Sequence, residues 1–343
     1  MAPTNTAAYY PSDKAPSLEI GSAPYPTPGP DEIIIKVAAA AINPVDAKIQ
    51  SAGTSLFPFL TYPLAGGIDV SGTVAEVGSS ATSKFHVGDR VLGFPCDFAS
   101  RSGAFQSYVA VSASVATKLP EATSFVEAAT LPSGVATAAE ALYAYLGLEH
   151  PSVPPRPRNG KTVLIGGGAS VVGSNAVQLA VASGYEVITT SSLSNFAHCI
   201  SLGASLVFDY RDPDLANKLV SAFSERECAG AFSCVEGSNS VVFEVVGKSK
   251  GSKTVACAIL FSKEGVPEGV KADMFHAFRV KDTPLAEVVF GQFLPAALEN
   301  GQYKCAPKAR VVGHGLESVQ KGLDIIAKGV SCEKLVVALG EQE

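Results

Sequence analysis

From residue 161 the chain alternates between short apolar runs and helical stretches, and nothing else in the sequence constrains the fold as strongly. Strand-like runs fall at 161–166, 185–190, 205–209, 229–235 and 253–260, with a sixth expected at 275–280. Helical stretches at 172–183, about 194–202 and 213–223 separate the first four. Strand and helix in alternation predict an α/β fold with a doubly wound parallel sheet. The first turn of the series reads "IGGGASVVG" (165–173), in which Gly168, Ser170 and Gly173 form G-x-S-x-x-G. This is the dinucleotide fingerprint with Ser at its second glycine. The first glycine makes the tight turn, the small second residue lets backbone approach a pyrophosphate at a helix N-terminus, and the third lets helix and strand pack closely. Alone the pattern is weak, because glycine turns between strand and helix are common; here it opens the required strand–helix–strand series. A purely structural turn is the alternative.

The second strand bears on which dinucleotide is expected. An NAD site calls for Asp or Glu about 20 residues past the glycines, bound to the ribose 2′-hydroxyl. The run "YEVITTSS" (185–192) ends instead in Thr190, Ser191 and Ser192, and its one acid, Glu186, lies at the wrong end. A carboxylate about 4 Å from a 2′-phosphate would cost on the order of 4 kcal/mol per charge pair at an effective dielectric of 20. Hydroxyls in its place favour NADPH; the alternative is that they form an ordinary polar loop.

The first 120 residues have a different texture. "EIIIKVAAAAI" (32–42), "IDVSGTVAEVG" (68–78), "DRVLGF" (89–94) and "GAFQSYVAVSAS" (103–114) read as strands with Gly and Pro at the turns. An Ala-rich stretch, 124–148, reads as one helix, with Ser124 three residues before Glu127 as a capping box. A Pro-rich connector follows at 150–160. Near the end, 288–301 and 315–329 read as helices and 334–339 as a last strand. With 343 residues, two domains are the expectation. Apolar residues at 47 % and charged residues at 17 % fit a globular chain with a sizeable core. A net charge of −6 without any basic run argues against nucleic acid and anionic membrane as partners. No apolar run reaches the roughly 18 residues of a membrane span. The first residues lack a basic segment followed by an apolar one, and seven cysteines are scattered rather than paired by spacing, so a reduced, cytoplasmic protein is expected.

Read together and in this order, several stretches resemble the medium-chain dehydrogenase/reductase superfamily over nearly the whole chain. They are "INPVDAK" (42–48), "GIDVSGTVAEVG" (67–78), "VGDRVLG" (87–93), "GAFQSYV" (103–109), "EAATLPSGVATAAEAL" (127–142), "VVGSNAVQLA" (171–180), "LGASLVFDY" (202–210) and "CEKLVVAL" (332–339). The narrower likeness is to zinc-free quinone oxidoreductases and enoyl reductases, above all the fungal trans-acting enoyl reductases. The resemblance implies a β-rich GroES-like catalytic domain from both chain ends (1–123 and 283–343) and a Rossmann NADPH-binding domain (124–282). Zinc-bearing relatives carry Cys where this chain has Asn43, and Gly-His-Glu where it has Gly67, Ile68 and Asp69. Ile68 cannot ligate a metal, and the five histidines show no spacing with a Cys or Glu that would suggest a site, so no metal site is expected and the histidines read as surface or turn residues.

Carried over position by position, the resemblance assigns Gly168, Ser170, Val171, Val172 and Gly173 to the pyrophosphate loop, and Ser191, Ser192 and Tyr210 to the 2′-phosphate. Bacterial quinone reductases hold a Lys near Asn195, which is missing here. Thr137 matches a threonine near the nicotinamide; Asn43, Pro44, Asp46 and Lys48 match the loop facing it; Val235, Leu260 and Lys334 complete the cofactor set. The implied activity is reduction of a C=C bond conjugated to a carbonyl, on a small-molecule or carrier-tethered enoyl substrate, with a polyketide synthase as partner and the chain a monomer or homodimer. Charge developing on the carbonyl oxygen then needs a donor. Lys48 is the first candidate, with a surface lysine that only positions cofactor as the alternative; Tyr62 is a second, with packing as its alternative; Thr137 stands with them at the reacting end. Quinone reduction and cofactor binding without significant catalysis are the competing functions. "GKSKG" (247–251) formally matches a hydrolase nucleophile elbow, but two lysines flank its Ser and a strand follows it.

Overall fold

A computed structural model describes residues 3–340 and divides the chain into two units. The first unit comprises the residues up to Ser133, Phe290–Glu299, and those from Lys308 onward. Its main sheet runs in the order Lys308–His314, Glu333–Ala338, Glu32–Ala41, Asp69–Val77, Arg90–Gly93, Ala116–Lys118, and Tyr108–Ser112 also pairs with Glu32–Ala41. The first two strands are parallel and the remaining pairs antiparallel. A smaller sheet joins Glu19–Ala23, Asn5–Tyr10 and Leu64–Ala65.

The ten-residue strand Glu32–Ala41 organises this unit, since three other strands bond to it. Its apolar run "III" is fully buried, and its final alanines at 39, 40 and 41 are small enough to let neighbouring elements crowd in. Ala129, at the end of the short helix Phe125–Ala128, and Val336 pack on Ala39 and Ala41. Register then decides chemistry. Ala41 lies opposite Asp69 on one side and Val336 on the other, and the Ile42 N–H bonds the Leu335 carbonyl at 2.9 Å. Residues just beyond Ala41 are thereby carried between Asp69 and Lys334.

The second unit comprises Gly134–Val289 and Asn300–Pro307. Its sheet is parallel throughout, in the order Leu206–Asp209, Glu186–Ser191, Lys161–Gly166, Glu227–Ser233, Thr254–Cys257, Lys271–Met274, with the two-residue strand Lys250–Gly251 beside Glu227–Ser233. In chain order the six longer strands read 3-2-1-4-5-6, the Rossmann arrangement. Leu164, Ile188, Leu219, Phe223, Val242 and Val255 form its core. The helices Val171–Ala182, Phe196–Ser201, Leu215–Phe223 and Asn239–Lys248 supply the crossovers.

Two elements differ from expectation. The sixth strand ends at Met274, because its partner Thr254–Cys257 runs out opposite that residue; 277–282 is a 3₁₀ turn, and the Phe275 ring packs on Phe232 at 5.7 Å. The stretch 124–148 is not one helix. Ser124 and Glu127 do form the capping box, but Pro132, which has no N–H, starts a new helix at Pro132–Ala139, followed by a π-helical segment at Glu140–Tyr145. The "GKSKG" segment is the end of the helix Asn239–Lys248, where Ser249 bonds back to the Val245 carbonyl.

Gly72 marks one of the tight points of the first unit. It lies where the register of Glu32–Ala41 against Asp69–Val77 slips, and a Cβ there would stand 2.0 Å from the Lys36 carbonyl oxygen. Gly72→Ala is therefore expected to lower stability by about 1–3 kcal/mol. Gly265→Ala, with nothing within 4 Å of the added carbon, should stay within about 0.5 kcal/mol. Urea midpoints of the two variants check this; equal midpoints would show that the bulge yields freely.

Candidate active site

A buried polar cluster sits in the first unit at the end of the organising strand. The Lys334 ammonium is 2 % exposed and donates to Asp69 Oδ2 at 2.6 Å and to Asn43 Oδ1 at 2.5 Å. Asn43 turns its Nδ2 to the same Asp69 oxygen at 2.8 Å. Asp69 Oδ1 accepts the Ser133 N–H at 2.5 Å, and the Ser133 hydroxyl lies 2.8 Å from Asp69 Oδ2. Four separate segments of chain are thus tied at one carboxylate. A buried charge without a partner is costly, so Lys334 and Asp69 need each other.

The cluster also holds the helix Pro44–Ala52. Asn43 is its N-cap, Pro44 its first residue, and the buried Asp46 reaches back to accept the Asn43 N–H at 2.7 Å. The Tyr10 hydroxyl donates to the Asp46 carbonyl at 3.1 Å. Burial pushes the Asp46 carboxyl up to about 7, against the Asn43 N–H and the Lys334 charge, while Asp69 raises it further. Asp46 Oδ1 makes no well-formed hydrogen bond, and the Gly67 amide nearby offsets burial only in part.

On this clamped helix Lys48 is exposed, and no hydrogen bond or ion pair engages its ammonium among the described residues. Tyr62 is half-buried, and its hydroxyl donates to Asp13 Oδ1 at 3.3 Å. Sequence reasoning names Asn43, Asp46, Lys48 and Lys334 for the cofactor and Lys48 and Tyr62 for the reaction; the structure bonds the Lys334 ammonium to Asp69 and Asn43. Ser133 and Tyr10 were missed. The one sequence signal for Ser133 was its place directly after Pro132, which starts the new helix.

In the second unit the glycine turn joins the strand Lys161–Gly166 to the helix Val171–Ala182. Gly167 has φ +94°, which favours glycine. Its N–H bonds Thr190 Oγ1 at 3.0 Å, and the Gly168 N–H bonds the Thr190 carbonyl at 2.9 Å. Ser170 caps the helix Val171–Ala182, accepting the Gly173 N–H at 3.0 Å. A Cβ at Gly173 would stand 2.1 Å from the Gly167 carbonyl oxygen. The first-turn amides at Val171 and Val172 have no intrahelical acceptor, so this end of the helix suits an anion. Val235 packs over the loop, since a Cβ on Gly167 would meet its Cγ2 at 2.6 Å. These residues fit a dinucleotide pyrophosphate.

Beyond the loop, Ser191 and Ser192 are buried at the end of Glu186–Ser191, and Tyr210 is exposed just past Leu206–Asp209, its N–H bonding the Ser191 carbonyl at 3.1 Å. Glu186, at the far end of its strand, is held by Arg226 at 2.9 Å. Asn195 precedes the helix Phe196–Ser201, Leu260 lies exposed after Thr254–Cys257, and Thr137 is half-buried in Pro132–Ala139. One histidine departs from expectation: half-buried His198 bonds the Ser174 hydroxyl at 2.9 Å, and burial pulls its pKa down.

Residues 29–121 match the alcohol dehydrogenase GroES-like domain family. The dehydrogenase pigH of Monascus ruber is 41 % identical over 98 % of this chain and 100 % of its own length. The trans-enoyl reductase himH of Aspergillus japonicus is 37 % identical over 99 % of this chain and 98 % of its own. LovC of Aspergillus terreus, described as the enoyl reductase component of lovastatin nonaketide synthase, is 32 % identical over 93 % of this chain and 92 % of its own. Among solved structures, the CurK enoyl reductase superposes with a TM-score of 0.77 at 22 % identity, covering 98 % of this chain and 99 % of that one.

The raised pKa of Asp46 has a consequence for stability. An unfolded Asp titrates near about 3.9, so between that pH and about 7 the folded chain binds one more proton than the unfolded one. Stability from this group is therefore lost as pH rises through that window and is level above it. Asp46→Asn removes the titration. Denaturant melts from about pH 4 to about pH 8 should show wild type losing stability relative to the variant as pH rises. A difference that stays constant across the window would show that Asp46 is an ordinary carboxylate.

Proposed function

We propose that this chain, which belongs to the medium-chain dehydrogenase/reductase superfamily in its enoyl-reductase branch, is an NADPH-dependent, zinc-independent reductase of C=C bonds conjugated to a carbonyl. The chain is an oxidoreductase that uses a nicotinamide cofactor; the choice of NADPH, the metal-free site and the substrate class are the proposal. The observation that carries it is the Lys334 ammonium bonded to Asn43 and Asp69. Zinc-bearing relatives keep ligands at Asn43 and Ile68. Here a protein cation is bonded at that corner, so charge stabilisation during reduction has to come from another group.

Lys48 supplies it in this reading. It is a free cation on a helix whose first turn is fixed by the capping carboxylate of Asp46 and by the Asn43 side chain. A reduced nicotinamide, when bound, supplies the hydride for the substrate's β-carbon. Charge then appears on the substrate carbonyl oxygen as an enolate, and a preorganised donor is worth most at that point. Tyr62 is the weaker donor, because its proton is committed to Asp13. The glycine loop holds the pyrophosphate through the first turn of Val171–Ala182, and Thr137 positions the nicotinamide. The names of himH and lovC support an enoyl substrate and a polyketide synthase as partner, with the substrate carrier-tethered or free. Among the described residues no helix is long and apolar enough to cross a membrane.

Two measurements test the proposal. Fluorescence titration should find NADPH bound more tightly than NADH, and Ser191→Asp should weaken NADPH selectively; comparable constants for the two cofactors would refute the NADPH assignment. With an α,β-unsaturated thioester as substrate, Lys48→Ala should lower kcat on the order of 10²-fold, the loss typical of one oxyanion donor. A raised KM for NADPH with kcat kept would reduce Lys48 to a cofactor contact. Turnover of quinones without turnover of any enone would replace the enoyl reading with quinone reduction.

A further inference from the structure

We propose that Arg211 is the cation that reads the 2′-phosphate of NADPH and so sets the cofactor preference of this chain, an assignment that rests on the NADPH reading above. A phosphate carrying up to two charges needs a cation, and the hydroxyls at the end of the second strand cannot supply one. Ser191 moreover spends its proton on the Ser192 carbonyl at 3.0 Å, and Ser192 and Ser194 share a hydrogen bond at 3.1 Å. The lysine that bacterial quinone reductases hold near Asn195 has no counterpart here.

From Glu186 to Lys218 the chain holds two Lys or Arg side chains, Arg211 and Lys218. Lys218 is ion-paired with Asp212. That leaves Arg211. It follows Tyr210 at the end of the third strand, whose register sets Asp209 opposite Ser191. Asp209 does not neutralise it: the Asp209 Oδ1 accepts the Arg211 backbone N–H at 3.0 Å, and no carboxylate pairs with the guanidinium among the described residues. The guanidinium instead lies over the exposed Tyr210 ring, 4.8 Å from its centroid. Stacking holds the planar fork in one orientation while its N–H donors stay free, which is the form in which arginine binds phosphate by two parallel bonds. An exposed, stacked guanidinium, on the residue after the one whose N–H bonds the Ser191 carbonyl, supplies the charge that the hydroxyls lack.

The test is titration of the full chain with NADPH and NADH, with competition by 2′,5′-ADP and 5′-AMP to isolate the adenosine end. Arg211→Ala should weaken NADPH and 2′,5′-ADP about 10-fold or more, leaving NADH and 5′-AMP within about twofold. Arg211→Lys should keep part of the preference, and Arg211→Glu should reverse it. Unchanged binding of NADH reports that the variants are folded. A wild-type preference for NADPH that survives Arg211→Ala overturns Arg211 and leaves the NADPH reading standing. Equal loss of both cofactors also overturns it, because the residue would then not discriminate. A wild-type chain that binds NADPH and NADH alike overturns both readings together.

Discussion

The ion pair of Lys334 with Asp69 is the contact on which the rest of the first unit's site depends. Both groups are almost wholly out of water, and neither could be ionised there alone without several kcal/mol of desolvation cost. Asn43 and Ser133 satisfy the remaining lone pairs of the carboxylate, so the pair is embedded in a network rather than isolated. Such networks add less to net stability than to geometric definition, because any rearrangement strands a buried charge. Here the definition is passed to one helix.

That helix, Pro44–Ala52, starts at a residue whose side chain and backbone are both held. The Asn43 side chain is locked by Lys334 and Asp69, its N–H by Asp46. Lys48 is therefore an exposed cation on a helix whose first turn is fixed. The arrangement also explains an otherwise unfavourable feature, the buried Asp46 with one carboxylate oxygen poorly satisfied. Its other oxygen fixes the N-cap of the helix bearing Lys48.

In the second unit, pre-organisation comes from backbone rather than charge. The glycine turn bonds to Thr190 on the adjacent strand and to its own N-cap serine, so its shape does not wait for a ligand. The close approach of Gly173 to the Gly167 carbonyl leaves no room for a side chain, which ties the fingerprint to packing as much as to phosphate binding. The adjacent residues Tyr210 and Arg211 stack on one another without help from any other element.

Periodicity alone determined the doubly wound parallel sheet, because apolar runs and crossover helices are written in short windows of sequence, whereas the strand order came from the structure. The glycine loop was legible for the same reason: its residues are neighbours in the chain. Pro132 is visible too, but a proline can also sit inside a first turn, so the residue type alone does not mark the break it makes in the Ala-rich stretch. The end of the sixth strand depended on where a partner strand stopped, which no local pattern records. The site in the first unit was decided by tertiary structure. Lys334 and Asp69 are 265 residues apart, and Ser133 is 90 from Asn43. Residue type could nominate Asn43, Lys48 and Lys334, but whether a lysine faces solvent or a buried carboxylate is set by strand register. A shift of one residue along Glu32–Ala41 would turn every side chain to the opposite face and dissolve the cluster.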